Sequence, residues 1–234
     1  MNALKNLFQP TWLSLALVIG LITAIWSLSS VGYFVLVDLL EKPGGYNEGP
    51  RLFSLYYAAW CILAVVVFHP GLSTWGKLTF PAEDRTAIVL MIAVCALFAF
   101  GILPFLPSAV IPPDISVSEI IVAEPWYFLP KSIEIYLQQI LMAALVVSLA
   151  AQKLKPRQIA VVTAVVFGGF HLTLVLNGAH PFYVLRYTIG ATLFGAVTPY
   201  LMLKMRNGFV YSFLLHWGWY ALDTTIWRFY FSGM

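Results

Sequence analysis

The sequence predicts an all-α membrane protein, a polytopic bundle of about seven transmembrane helices. Three observations predict this class. Hydrophobic residues make up 61% of the 234 residues and charged residues only 10%, whereas a soluble domain carries about 25% charged residues. The mean hydropathy is +0.85. The apolar residues also fall into stretches of about 20, the length that a helix needs to cross the hydrocarbon core.

Seven such stretches follow one another along the chain. Backbone polar groups find no water in lipid, so each stretch is predicted to be a helix. The first is longer than the apolar core of a signal peptide, which is about 7–15 residues, and we interpret it as an uncleaved helix. The third contains Gly101 and Pro104 and is expected to kink or end early. The stretches are 11–37, 52–69, 86–106, 132–152, 158–177, 182–204 and 208–230.

A proline-rich segment separates the first three stretches from the last four. Residues 107–131 are too broken for a spanning helix and too apolar for a free loop. We therefore expect an interfacial or re-entrant segment, with Trp126 and Tyr127 at the level of the lipid headgroups. The chain is then one membrane domain over 1–234, with N-terminal helices in 1–106 and core helices in 132–230.

The distribution of charge predicts the orientation and the partners. With seven spans, eight of the 13 Lys and Arg residues fall on one side: Lys5, Lys77, Arg85, Lys153, Lys155, Arg157, Lys204 and Arg206. The other side holds most of the acidic residues, Asp114 among them. The positive-inside rule places the N-terminus in the cytoplasm and the C-terminus outside the cell membrane. The net charge of +3 is too small for a nucleic-acid partner, and membrane lipid is the predicted partner.

Polar residues within the apolar stretches mark a candidate functional site, because such residues are costly in a membrane. Glu134 and Gln138 are four residues apart on the fourth stretch and are predicted to share a helix face. Gln139 lies about 100° further round the helix. These amides are either interhelical hydrogen-bonding groups or part of a site.

The fifth and seventh stretches carry the other candidates. His171 follows a Gly-Gly pair that permits close helix packing and leaves room beside the imidazole. His216, Tyr220 and Asp223 are spaced i, i+4, i+7, which predicts one polar stripe on the last helix. The alternatives are a structural role for His171 and an ion pair of Asp223 with a nearby arginine.

These residues resemble the motifs of the CPBP family, the membrane-embedded CAAX prenyl proteases and the bacteriocin-processing or immunity proteins. The family pattern is EExxxR on one helix, FxxxH on the next, and HxxxN or a similar pair on the last. Phe167 to His171 matches FxxxH, and His216 falls at the third motif. The resemblance covers about residues 130–225. It implies a membrane helix bundle in which a glutamate activates water for peptide hydrolysis, helped by the histidines.

The first motif departs from that pattern. Gln138 and Gln139 stand where the family has two glutamates, Ala143 replaces the arginine, and Tyr220 stands four residues after His216. An amide cannot act as a general base near neutral pH, and loss of a base removes about 10²–10⁴-fold in rate. We therefore expect the family's usual hydrolytic mechanism to be absent.

Three functions remain open at this point, so whether the chain is an enzyme is undecided. The first is a catalytically degenerate family member that binds a peptide, a lipid or a partner transmembrane helix. The second is a divergent intramembrane endopeptidase that uses Glu134 or Asp223 with His171 and His216, a set that also suits a divalent metal such as zinc. The third is a metal- or haem-binding subunit with His171 and His216 as ligands.

Overall fold

The computed structural model describes residues 11–78, 84–111, 119–177 and 181–232. Helices dominate this part of the chain, and it contains no strand. The seven α-helices are α1 (Trp12–Leu39), α2 (Pro50–Leu78), α3 (Arg85–Ala96), α4 (Phe128–Ala151), α5 (Pro156–His171), α6 (Pro181–Lys204) and α7 (Gly208–Ser232). The all-α prediction is therefore confirmed. Lys5 and Asp114, which entered the charge argument, lie outside the described residues.

Each predicted apolar stretch corresponds to one helix. Five segments are long and apolar enough to cross a membrane: Trp12–Leu39, Pro50–Ser73, Arg85–Phe105, Pro125–Ala151 and Pro156–Val175. These segments are compatible with an integral membrane protein. Helices α6 and α7 have 24 and 25 residues, but their composition does not place them in this group, so a count of seven spans stays a prediction.

The two largest differences at helix ends lie close to prolines. The regular helix α3 ends at Ala96 and continues as a π-helix over Leu97–Ile102 and a 3₁₀ turn over Leu103–Phe105. Pro104 has no N–H group, and its ring crowds the preceding turn, so the predicted early end is confirmed. Helix α2 instead continues past Pro70, where the sequence pattern predicted an end at residue 69.

The predicted interfacial segment is only partly described, because residues 112–118 lie outside the described ranges. The segment ends in a 3₁₀ turn over Pro125–Tyr127, and α4 follows at once from Phe128. Helix α4 thus begins four residues before the predicted boundary and includes Pro130. A proline is tolerated there because the first four N–H groups of a helix have no partner within the helix.

The chain forms two compact units. Unit 1 comprises residues 1–23, 65–84 and 139–212, and unit 2 comprises residues 24–64, 85–138 and 213–234. Helices α1, α2, α4 and α7 contribute residues to both units.

In unit 1, helices α5 and α6 pack closely. The Thr163 hydroxyl of α5 donates to the Gly195 carbonyl of α6 at 2.6 Å. A Cβ atom on Gly195 would meet the Thr163 carbonyl oxygen at 2.7 Å and the Ala164 Cα atom at 2.8 Å. A Cβ atom on Gly168 would collide with the Thr192 side chain of α6, whereas a Cβ atom on Gly169 meets nothing within 4 Å. The predicted close packing therefore depends on Gly168, the first glycine of the pair.

Candidate functional site

Charged and polar side chains form a cluster in unit 2, centred on Glu134 of α4. The Glu134 Oε2 atom accepts from the Lys131 ammonium at 2.8 Å and from the Tyr46 hydroxyl at 3.0 Å. The Glu134 Oε1 atom accepts from the Gln138 amide nitrogen at 3.0 Å. Lys131, Glu134 and Gln138 lie three and four residues apart, a spacing that places them on one helix face. The shared face predicted for Glu134 and Gln138 is therefore present.

Lys131 is held by aromatic rings as well as by Glu134. Its ammonium lies 4.0 Å from the centre of the Tyr220 ring and 5.9 Å from the centre of the Tyr46 ring. A cation over an aromatic face is attracted by the ring quadrupole, and the attraction grows when water is excluded. The lysine is only 8% exposed. The ammonium is thus stabilised by one carboxylate and two rings.

A second carboxyl group, Glu119, approaches Tyr46 from the segment before α4. Its Oε1 atom accepts from the Tyr33 hydroxyl at 2.7 Å, and its Oε2 atom accepts from the Tyr46 backbone N–H at 2.9 Å. Burial raises the pKa of the Glu119 carboxyl, while the two donors and the Lys131 charge act in the opposite direction. Tyr46 therefore connects both carboxyl groups, Glu119 through its backbone and Glu134 through its hydroxyl.

The turn that presents Tyr46 depends on one glycine. Gly45 has a φ angle of +54°, a left-handed conformation that costs other residues about 1–2 kcal/mol. A Cβ atom there would also collide with the Glu119 carboxylate and the Tyr33 hydroxyl. Only glycine fits between these groups without displacing them.

Side-chain bonds to backbone groups anchor the segment that carries Glu119. The Thr224 hydroxyl donates to the Ile120 carbonyl at 3.1 Å, and Arg228 donates to the Ala123 carbonyl at 2.6 Å. The side-chain amide oxygen of Asn47, Oδ1, accepts from the Glu124 backbone N–H at 2.9 Å. Arg228 also donates to the Leu103 carbonyl at 3.1 Å. Helix α7 therefore holds this segment in position through neutral backbone acceptors.

The two adjacent glutamines have different surroundings. Gln138, in unit 2, is 6% exposed, and its Oε1 atom has no hydrogen-bond partner among the described residues. Gln139, in unit 1, is fully buried and accepts from the Ser212 hydroxyl of α7 at 2.9 Å. Gln139 therefore forms a hydrogen bond between helices α4 and α7. This is the first of the two roles that the sequence predicted for these amides. Gln138 retains a buried acceptor for which the described residues supply no donor.

The predicted histidines belong to different units. His171, in unit 1, has its Nδ1 atom 2.8 Å from the Phe167 carbonyl oxygen, one turn earlier on α5. His216, in unit 2, is 5% exposed, and its ring centre lies 5.6 Å from that of Tyr220. Asp223 is 1% exposed. The residues of the predicted stripe on α7 are therefore all buried.

The described residues contain no group of three or more His, Cys, Asp or Glu side chains arranged to hold a metal ion. The metal set of Glu134, Asp223, His171 and His216 stays a prediction. The chemistry that the cluster offers without a metal is hydrogen bonding and charge. The cluster contains the Lys131–Glu134 ion pair, the Glu119 carboxyl group and the Gln138 Oε1 atom as a hydrogen-bond acceptor.

Sequence reasoning missed much of this cluster. Lys131 precedes Glu134 by three residues in the first turn of α4, so the i,i+3 spacing could have identified it. Tyr33, Tyr46 and Glu119 come from segments 73 to 88 residues away from their partners, and no local pattern links them.

No family model, curated protein or solved structure matches this chain. The described structure defines the class as an all-helical protein with five helices suited to spanning a membrane.

Proposed function

We propose that this chain is an integral membrane binding protein of CPBP-like ancestry that has lost hydrolytic activity. In this proposal the cluster around Glu134 binds a polar group of a peptide, lipid or partner helix. The observation that carries the proposal is the Gln138 side chain, which donates to Glu134 and keeps a buried acceptor that has no donor within the described part of the chain.

The loss of hydrolysis is supported by how the two glutamines bond. Gln138 and Gln139 occupy the positions of the catalytic glutamates in the resembled motif. Each is used as an amide, Gln138 as a donor to Glu134 and Gln139 as an acceptor from Ser212. A glutamate at position 138 would lose that donor and place a second carboxylate beside Glu134. The local bonding thus favours an amide at position 138.

Binding is supported by the cost of the unfilled acceptor. A buried polar atom without a hydrogen bond costs about 1–3 kcal/mol. A ligand that brings an N–H or O–H donor to the Gln138 Oε1 atom recovers this cost, which contributes to affinity. Peptide backbones carry such donors, so a peptide segment is the occupant that we test.

The test measures binding and cleavage separately. The probe is a fluorescent farnesylated peptide ending in a CAAX sequence, chosen because of the family resemblance, with the full chain in lipid nanodiscs. We expect saturable binding by anisotropy and intact peptide by mass spectrometry. Gln138→Leu removes the acceptor and is expected to weaken binding about fivefold or more. Gln152→Leu, a glutamine outside the cluster, is the matched control. Absence of binding, or equal binding by both variants, contradicts the peptide-binding proposal.

A divergent endopeptidase is the second candidate, and one distance favours it. The Glu134 carboxylate lies 3.0 Å from the Gln138 amide, so a carboxylate is available beside the position of the missing glutamate. Cleavage of the same peptide that is lost in Glu134→Gln, Asp223→Asn and His171→Ala identifies this function. Cleavage unaffected by all three substitutions assigns the activity to a contaminant.

We also infer seven membrane crossings with the N-terminus in the cytoplasm and the C-terminus outside the cell membrane, from the distribution of Lys and Arg. Single cysteines at Glu48 and Lys155, in a chain whose Cys61 and Cys95 are replaced by alanine, test the orientation. An impermeant maleimide added to intact cells is expected to label position 48 and not position 155. The reverse pattern inverts the orientation.

A further inference from the structure

The packing of α5 on α6 in unit 1 fixes which helix ends lie together. Thr163 of α5 contacts Gly195 of α6, and Gly168, five residues later on α5, contacts Thr192, three residues earlier on α6. The helices are therefore antiparallel. Continuing this register back along α5 places its first residue, Pro156, beside the last turn of α6, which ends at Lys204.

Two short turns are consequently brought to the same end of unit 1. One joins α4 to α5 and the other joins α6 to α7. The cationic side chains of these turns and of the adjoining helix ends are exposed to solvent. We call this set the basic end: Lys153, Lys155, Arg157, Lys204 and Arg206.

Very little negative charge accompanies the basic end. Asp84 is the only acidic residue within the described part of unit 1, and it lies beside Arg206 at 3.4 Å. Both side chains of that pair are well exposed, at 67% for Arg206 and 43% for Asp84. An exposed pair of this kind is weak, so the basic end keeps a net positive charge.

The turn lengths place the basic end at the surface of the membrane. Helices α4 and α5 both belong to segments suited to crossing a membrane, and only residues 152–155 separate them. A turn of that length cannot extend far from the helix ends. Lys153 and Lys155 therefore stand at the depth of lipid headgroups if the two segments cross the bilayer.

We propose that the basic end binds the phosphate groups of anionic lipid headgroups. Cations at this depth meet the negative potential of an anionic leaflet. Arginine adds paired N–H donors that match phosphate oxygens. A nucleic acid or an acidic protein is disfavoured because the turns are too short to present these side chains away from the bilayer.

The experiment uses native mass spectrometry of the full chain in detergent, with phosphatidylglycerol and phosphatidylcholine of the same acyl chains as probes. We expect the anionic lipid to bind more tightly, with affinity that falls as ammonium acetate is raised. Each Lys or Arg near such a surface contributes about fivefold, so Lys155→Gln with Arg157→Gln is expected to weaken phosphatidylglycerol binding by roughly 25-fold. Thermal unfolding of the variants confirms that both remain folded.

The matched control is Lys42→Gln with Arg51→Gln, which removes two cations from unit 2. We expect it to leave phosphatidylglycerol binding within about twofold of the original chain. Equal affinity for the two lipids, or equal weakening by both double variants, overturns the proposal. Displacement of the lipid by millimolar inorganic phosphate also overturns it and assigns a soluble phosphate ligand instead. Peptide binding at the Glu134 cluster is measured in parallel, so the two proposals fail independently.

Discussion

Unit 1 and unit 2 differ in where they keep their charged groups. In unit 1 the buried polar residues that bond between helices are neutral, such as Thr163 and Gln139, and the cations of the basic end are exposed. In unit 2, Lys131 is buried against Glu134, and Glu119 lies close by, joined through Tyr46. Neutral hydroxyl and amide bonds cost little to bury when satisfied, whereas a buried ion pair has a large desolvation cost.

This difference is the reason why the proposed peptide site lies in unit 2, whereas the α5–α6 contact of unit 1 depends on close helix packing. In some proteins a buried ionic group specifies the fold despite its desolvation cost. Substitutions in the two units should therefore destabilise the protein for different physical reasons. Four predictions test this.

The largest effect is expected at the ion pair of unit 2. Glu134→Leu removes the carboxylate that bonds Lys131 inside the protein, and such a loss destabilises by about 3–5 kcal/mol. The double variant Lys131→Met with Glu134→Leu removes both charges and is expected to recover most of that loss. Unfolding in detergent with increasing SDS measures both variants. A double variant as unstable as the single one would show that the ion pair does not cause the loss.

A slightly smaller effect is expected at the turn that presents Tyr46. Gly45→Ala forces alanine into a left-handed conformation and drives its Cβ atom into Glu119 and Tyr33. We expect a loss of about 2–4 kcal/mol. The neighbouring Gly44→Ala meets only the side chain of Glu48, which is exposed and can move. Equal losses for the two variants would contradict the positioning role of Gly45.

In unit 1 the matched test concerns helix packing. Gly195→Ala places a Cβ atom against the backbone of α5, which cannot move independently, and is expected to cost about 1–3 kcal/mol. Gly169→Ala adds the same methyl group where nothing lies within 4 Å, and its effect is expected to be within about 0.5 kcal/mol of zero. The same unfolding assay compares them. Similar losses for both would refute the close α5–α6 contact.

The smallest effect is a pH dependence from Glu119. Because burial raises the pKa of Glu119, the folded protein holds this proton at pH values where the unfolded chain has lost it. The resulting stability is present at low pH and is lost as pH rises through the folded pKa, by at most about 1.4 kcal/mol per pH unit. Glu119→Gln is expected to flatten this part of the profile. If the free energy of unfolding of the variant changes with pH as steeply as that of the original chain, other groups cause the pH dependence.

Sequence reasoning predicted more of the fold than of the site. The seven helices follow from apolar stretches and the need to satisfy backbone groups in lipid, both of which are local. The shared face of Glu134 and Gln138 follows from helical periodicity and is present. The α2 boundary at residue 69 was wrong, because a single proline removes one hydrogen bond and an otherwise apolar helix can continue through it.

The sequence by itself determined the helices and the face on which each polar residue lies, because helix geometry depends on neighbours within a few residues. Only the tertiary structure decided which polar groups meet. Glu119 accepts hydrogen bonds from Tyr33 and Tyr46. Gln138 bonds to Glu134, whereas the adjacent Gln139 bonds to Ser212. Those contacts join segments distant in sequence, and side-chain packing sets them without leaving any periodic pattern in the chain.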